Sequence, residues 1–107
     1  MNYENATDEQ INEAVTKSIG DKVTSAFGAI LIRDLGINNY CNDWAYGGLI
    51  IQNAKINLLW NTESTEWEAQ AVVTIDMYQP PTCEYYYYDK NPLRAAMIVY
   101  LMMNEGK

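Results

Sequence analysis

The sequence predicts an α+β fold: an antiparallel sheet of two to four strands packed against three helices, with the C-terminal helix central. Three observations carry this. "KINLLWN" and "EWEAQAVVT" each alternate apolar and polar residues around a polar "NTEST". That is the pattern of an antiparallel hairpin with one buried face. After "TDEQ", the residues Ile11, Ala14, Val15 and Ile19 recur at helical spacing. Finally, "NPLRAAMIVYLMMNEG" holds nine apolar residues in a row, Ala95–Met103. With 107 residues, 49 % of them hydrophobic, residues 1–107 read as a single globular domain. A chain this long buries roughly 60–68 % of the surface it exposes when unfolded, enough for one modest core.

The first helix is expected over residues 8–19. Thr7 and Gln10 form a capping box, Asp8 and Glu9 suit the positive end of the helix dipole, and Gly20 supplies the stop. Residues 22–35, rich in Val and Ile and punctuated by Gly28 and Gly36, lean towards one or two short strands. A second helix is expected over about 41–54, capped by Asn39 or Asn42 with Asp43 close behind. Gly47 and Gly48 each weaken that helix by about 1 kcal/mol relative to alanine. Their presence suggests that another backbone passes close by.

The hairpin occupies about 56–61 and 66–74. Residues 76–90 read as loop, since Pro80 and Pro81 interrupt any ladder. Within them "EYYYY" can form a short third strand, with Tyr85 and Tyr87 pointing one way and Tyr86 and Tyr88 the other. The last helix spans about 91–104, with Asn91 as its cap, Pro92 at the first position and Gly106 beyond its end. Its uncharged stretch measures about 14 Å at 1.5 Å per residue. A bilayer core needs about 20 residues, so the membrane-anchor reading fails and no membrane partner is expected. A helix so apolar all round must be covered, by the hairpin on one side and by the first two helices on others. Any remainder would be a dimer or partner face, which keeps a homodimer among the allowed assemblies.

Asp and Glu total 14 against 7 Lys and Arg, for a net charge of −7. Glu4, Asp8, Glu9, Glu13 and Asp21 surround only Lys17, and Glu63, Glu66, Glu68 and Asp76 have no basic neighbour. This surface repels phosphate backbones, which argues against direct nucleic-acid binding and favours basic partners. The N-terminal "MNYENATDEQ" has no basic or apolar leader region. Cys41 and Cys83 are therefore expected as two free thiols in a reducing compartment.

The chain has no histidine. That removes the commonest general base and metal ligand, and every Ser–His or Cys–His pair. Two cysteines do not make a zinc site, and "YGGL" lacks a phosphate-cradle pattern. No catalytic residue, metal site or cofactor is expected. Glu66 and Glu68 share one face of a strand, an arrangement open to paired glycosidase carboxylates, but they read as the solvated side of the hairpin.

Arg94 stands at a helix start, where a cation is disfavoured by about 0.3–1 kcal/mol, so something must compensate. Asp43, Glu84 and Asp89 are the candidates. Two readings stand side by side. In one, a guanidinium–carboxylate bond tethers the last helix to the "YCNDW" segment. In the other, Arg94 joins Tyr40, Asn42, Asp43 and Trp44 in a recognition patch. Tyr85, Tyr86, Tyr87 and Tyr88 are too many for one face of a small core, so some of them should form either an exposed binding surface or a half-buried strand.

"DEQINEAVTKSIG", "YCNDWAYGGLII" and "NPLRAAMIVYLMM" together resemble the NinX family of small phage proteins. The resemblance implies a protein of a temperate phage or prophage, made in the host bacterial cytoplasm, and brings no catalytic residues with it. The expected function is a non-enzymatic module that binds a host or phage protein and modulates host physiology or defence. The alternatives are a DNA mimic that occupies a nucleic-acid-binding protein, and a small enzyme or ligand binder.

Overall fold

A computed structural model describes residues 2–20, 39–73 and 82–105. In chain order these form α1 (Asp8–Gly20), α2 (Trp44–Ala54), β1 (Ile56–Asn61), β2 (Glu66–Val73), β3 (Thr82–Asp89) and α3 (Pro92–Glu105). The strands expected within 22–35 and the Pro80–Pro81 break lie outside the described residues.

The capping box forms as the sequence implies. The Gln10 amide donates to Thr7 Oγ1 at 3.1 Å, and the Thr7 amide donates to Gln10 Oε1 at 2.8 Å. The helix that follows buries Ile11, Val15 and Ile19.

The second helix starts three residues later than expected, at Trp44. Neither Asn39 nor Asn42 caps it; Asp43 does, its Oδ1 accepting from the Ala45 amide at 2.9 Å. The Asn39 carbonyl instead accepts from the Asn42 and Asp43 amides at 3.2 and 2.9 Å. That closes a turn which drives Tyr40 and Cys41 into the core, at 1 % and 0 % exposure. α2 ends on Lys55, in the left-handed region at φ 59°, whose amide returns to the Ile51 carbonyl.

The three strands form one antiparallel sheet in the order β1-β2-β3. In register, Ile56 faces Ala71, Leu58 faces Ala69 and Trp60 faces Trp67. Asn61 Oδ1 ties the hairpin turn by accepting from the amides of Glu63 and Ser64 at 3.0 and 3.1 Å. Thr65 closes the turn at φ 55°, a strained position for a β-branched residue.

The loop reading of 76–90 is corrected over 82–89, where the eight residues of β3 form a strand that pairs with β2. Cross-strand hydrogen bonds override the local turn signals once β2 offers an open ladder. The register slips by one residue between Ala71, which faces Tyr85, and Val72, which faces Cys83.

α3 lies across the covered face of the sheet and also meets α1 and α2. Asn91 caps it, its Oδ1 accepting from the Leu93 and Arg94 amides at 3.0 and 3.4 Å. Five consecutive residues, Ala95 to Val99, are all 0 % exposed. At 100° per residue these point in every direction around the axis, so this stretch of the helix is enclosed on all sides. Each buried Leu, Ile or Met contributes about 1.5–3 kcal/mol of apolar transfer. The apolar run therefore serves as core. Among the described residues no helix is long and apolar enough to cross a membrane.

Candidate functional site

The structure separates the two sets of residues that the sequence singled out. The first surrounds Arg94. Its side chain is 13 % exposed and makes four bonds: Nη1 to Asp8 Oδ1 at 2.8 Å, Nε to Asp89 Oδ2 at 3.1 Å, and Nη2 to the carbonyls of Tyr3 and Ala6 at 3.0 and 2.6 Å. One guanidinium thus joins the N-terminal arm, the head of α1, the end of β3 and the first turn of α3. Burial would pull its pKa down, but the hydrogen bond it donates to Asp8 and the charge of Asp89 outweigh that and raise it.

The tether runs to a different place from the one expected. Asp43 is occupied by the α2 cap, Asp89 is a true partner, and the side chain of Glu84 lies outside the described residues. The link to the "YCNDW" turn is made next door by Asn91, whose Nδ2 donates to the Cys41 carbonyl at 2.7 Å and to Asn42 Oδ1 at 3.1 Å. Asn42 in turn donates to Asp8 Oδ2 at 3.1 Å.

Asn12, which sequence reasoning passed over, completes this network from inside. It is 6 % exposed; its Oδ1 accepts from the Cys41 amide at 3.0 Å and its Nδ2 donates to Asn39 Oδ1 at 3.2 Å. The signal was present: an asparagine beside Ile11, one turn after Asp8, on the face that α1 buries.

The proposed recognition patch of Tyr40, Asn42, Asp43, Trp44 and Arg94 accordingly does not form one surface. Tyr40 is core, Asn42 and Asp43 are engaged in turns and caps, and Arg94 is enclosed. Trp44 is 56 % exposed. Cys41 is a free, buried thiol. Burial first, and then the charge of Asp8, push its pKa up to about 12.

In the unfolded chain that thiol ionises near its usual 9.0. Its contribution to stability is thus complete below pH 9 and is lost as the pH rises towards 12. With Cys83 replaced by serine, alkylation of Cys41 at pH 8 should run about 100-fold or more slower in the native protein than in urea. Comparable rates, measured by mass spectrometry, would show that the thiol is not enclosed.

The second set is the tyrosine run, which splits by parity. Tyr85 and Tyr87 pack against the core beside Ala71 and Ala69. Burial and the nearby charge of Asp89 raise the Tyr87 pKa. Tyr86 and Tyr88 stand on the opposite face, 54 % and 39 % exposed, their rings edge to face at 6.2 Å.

That face also carries Leu59, 49 % exposed, together with Glu66, Glu68 and Gln70. The Glu68 carboxylate accepts from the Gln70 amide and is hydrogen-bonded to the Tyr88 hydroxyl, which raises the phenol pKa. Among the described residues the helices pack only on the other side of the sheet.

At the hairpin tip Trp60 and Trp67 meet edge to face at 5.4 Å. Trp60 has the parity of the covered face, yet it lies in the last pair but one before the turn and is 51 % exposed. A shallow hollow of about 520 Å³ between the N-terminal arm and α1 is lined by Asn5, Ala6, Gln10 and Ala14 among others.

In the clamp one guanidinium engages both carboxylates, Asp8 and Asp89. Among the described residues, no three His, Cys, Asp or Glu side chains are placed to hold a metal ion. What remains is an aromatic and acidic sheet face. A family model described as bacteriophage P22, NinX, matches residues 2–104. No curated protein matches the chain, and no solved structure does.

Proposed function

From a chain that belongs to the bacteriophage P22 NinX family, we propose a phage accessory protein that acts without catalysis, holding a host or phage protein against its open sheet face in the host cytoplasm. The observation that carries this is the exposed pair Tyr86 and Tyr88 beside Glu66 and Glu68, on a face that no described element covers. Tyrosine supplies large contact area at low entropic cost, and interface cores are enriched in it. Two rings turned outwards on a rigid sheet, while their neighbours Tyr85 and Tyr87 build the core, suit recognition better than stability.

The carboxylates also favour this reading over a DNA mimic. Asp8 and Asp89 both pair with Arg94, and Asp43 caps α2. Three of the acids are thus held by contacts within the chain rather than arrayed freely on its surface.

The test is affinity capture from the bacterial host with the wild-type chain and with Tyr86→Ser/Tyr88→Ser, followed by mass spectrometry. Each substitution should lower stability by less than about 1 kcal/mol, since the removed contacts are exposed cross-strand pairs. A specific partner of the wild type should disappear from the double variant at an almost unchanged melting temperature. Equal capture by both chains, or no specific partner of the wild type, would overturn the proposal.

A further inference from the structure

We propose that the open sheet face receives an arginine presented by an exposed segment of the partner protein, with Glu68 as the carboxylate that meets it. This rests on the reading of that face as the working surface and names the chemistry of what docks there.

The register sets the geometry. Leu59, Glu68 and Tyr88 stand side by side across the three strands, Glu68 in the middle. Directly opposed side chains on an antiparallel sheet are about 4.5–5.5 Å apart at Cβ, so one incoming side chain touches all three. Glu68 is already aimed: the Gln70 amide and the Tyr88 hydroxyl both bond to its carboxylate. A carboxylate offers about four acceptor sites, which leaves room for a guanidinium fork.

The flanks suit arginine. Its aliphatic stem can lie along Leu59, and its planar head can stack on Tyr88, a ring held edge to face by Tyr86. A lysine brings a point charge that cannot bond the carboxylate bidentately and stack at once.

Charge complementarity selects a basic occupant. The three strands contain Glu66, Glu68, Glu84 and Asp89 and no lysine or arginine. Asp89 is answered internally by Arg94. Glu66 stands on the same face as Glu68, two pairs nearer the turn.

The experiment is an amide-shift NMR titration of the full chain with a blocked heptapeptide, Ser-Val-Ser-Arg-Ser-Val-Ser. Its citrulline counterpart keeps the shape and removes the charge; a third peptide carries lysine. Shifts should centre on Leu59, Glu68 and Tyr88. Affinity should fall about ten-fold or more for citrulline, and equally for the arginine peptide on Glu68→Gln. The lysine peptide should bind more weakly than the arginine one, and added salt should weaken binding.

Absent shifts, shifts centred on the acids of α1, equal affinity for citrulline, or indifference to Glu68→Gln would each overturn the inference. So would concentration-dependent shifts of these residues without peptide, which would mean that a second copy of the chain covers the face. If host-partner capture is lost in Tyr86→Ser/Tyr88→Ser while the arginine peptide ignores Glu68, the arginine assignment fails and the binding face stands. If capture survives that double substitution, the face itself fails.

Discussion

Arg94→Ala is expected to lower stability by about 2–4 kcal/mol, a large share of the roughly 5–15 kcal/mol that holds a domain together. Removing one partner of a buried ion pair typically costs about 3–5 kcal/mol, because the other charge stays behind uncompensated. Two carboxylates and two carbonyls lose their donor here at once. The loss falls below that range because the Asp8 side chain is 42 % exposed and can take water instead. Arg94→Lys should recover less than half of the loss, since one ammonium cannot span acceptors on both sides of a planar fork. Urea titration checks this: the midpoint should fall with the slope unchanged. A midpoint that does not move in Arg94→Ala would remove the tether and return Arg94 to a role in recognition.

Two adjacent glycines should respond with opposite signs. A Cβ on Gly47 would stand 2.5 Å from the Tyr40 carbonyl oxygen and 2.7 Å from Leu93 Cδ2. Leu93 can turn aside. The carbonyl is backbone in a turn pinned by Asn12 and Asn91, so α2 must move away from it. Gly47→Ala is therefore expected to destabilise by about 1–3 kcal/mol, as overpacked sites do, after the helix-propensity gain is subtracted. At Gly48 the nearest atom is Trp44 Cε3 at 3.9 Å, an ordinary contact. Gly48→Ala should stabilise by about 0.5–1 kcal/mol. Thermal unfolding separates the two by about 4–8 °C for each kcal/mol. Shifts of the same sign would show that α2 does not pack on the Tyr40 turn as described.

The glycines also show where reading the chain alone succeeds and where it stops. A close backbone was a sound inference from two glycines in a helix, but the sequence cannot tell which of them needs it. Local signals were readable wherever a residue acts on its immediate neighbours: the Thr7–Gln10 box, the Asn91 cap, the alternation of "EWEAQAVV". The start of α2 was misplaced because Asn39, Asn42 and Asp43 all suit a cap, and only the turn that buries Tyr40 and Cys41 selects among them. β3 was underestimated because four identical tyrosines erase the period-2 contrast that marks a strand. The partners of Arg94 were half found. Asp89 is five residues away and within reach of local reasoning; Asp8 is 86 residues away and becomes visible only when the helices are packed. The sequence does not separate the outward tyrosines from their inward neighbours; the register of β2 and β3 divides them.

The enclosure of α3 bears on how the polypeptide acquires its shape during synthesis. Every other described element rests on a helix that the ribosome makes after all of them. Until it emerges, Ile11, Val15, Ile50 and Ala69 lack the helix at the centre of their cluster, and the hairpin lacks the helix that covers one of its faces. The described elements therefore share one core only once this helix is present, and they condense around it together.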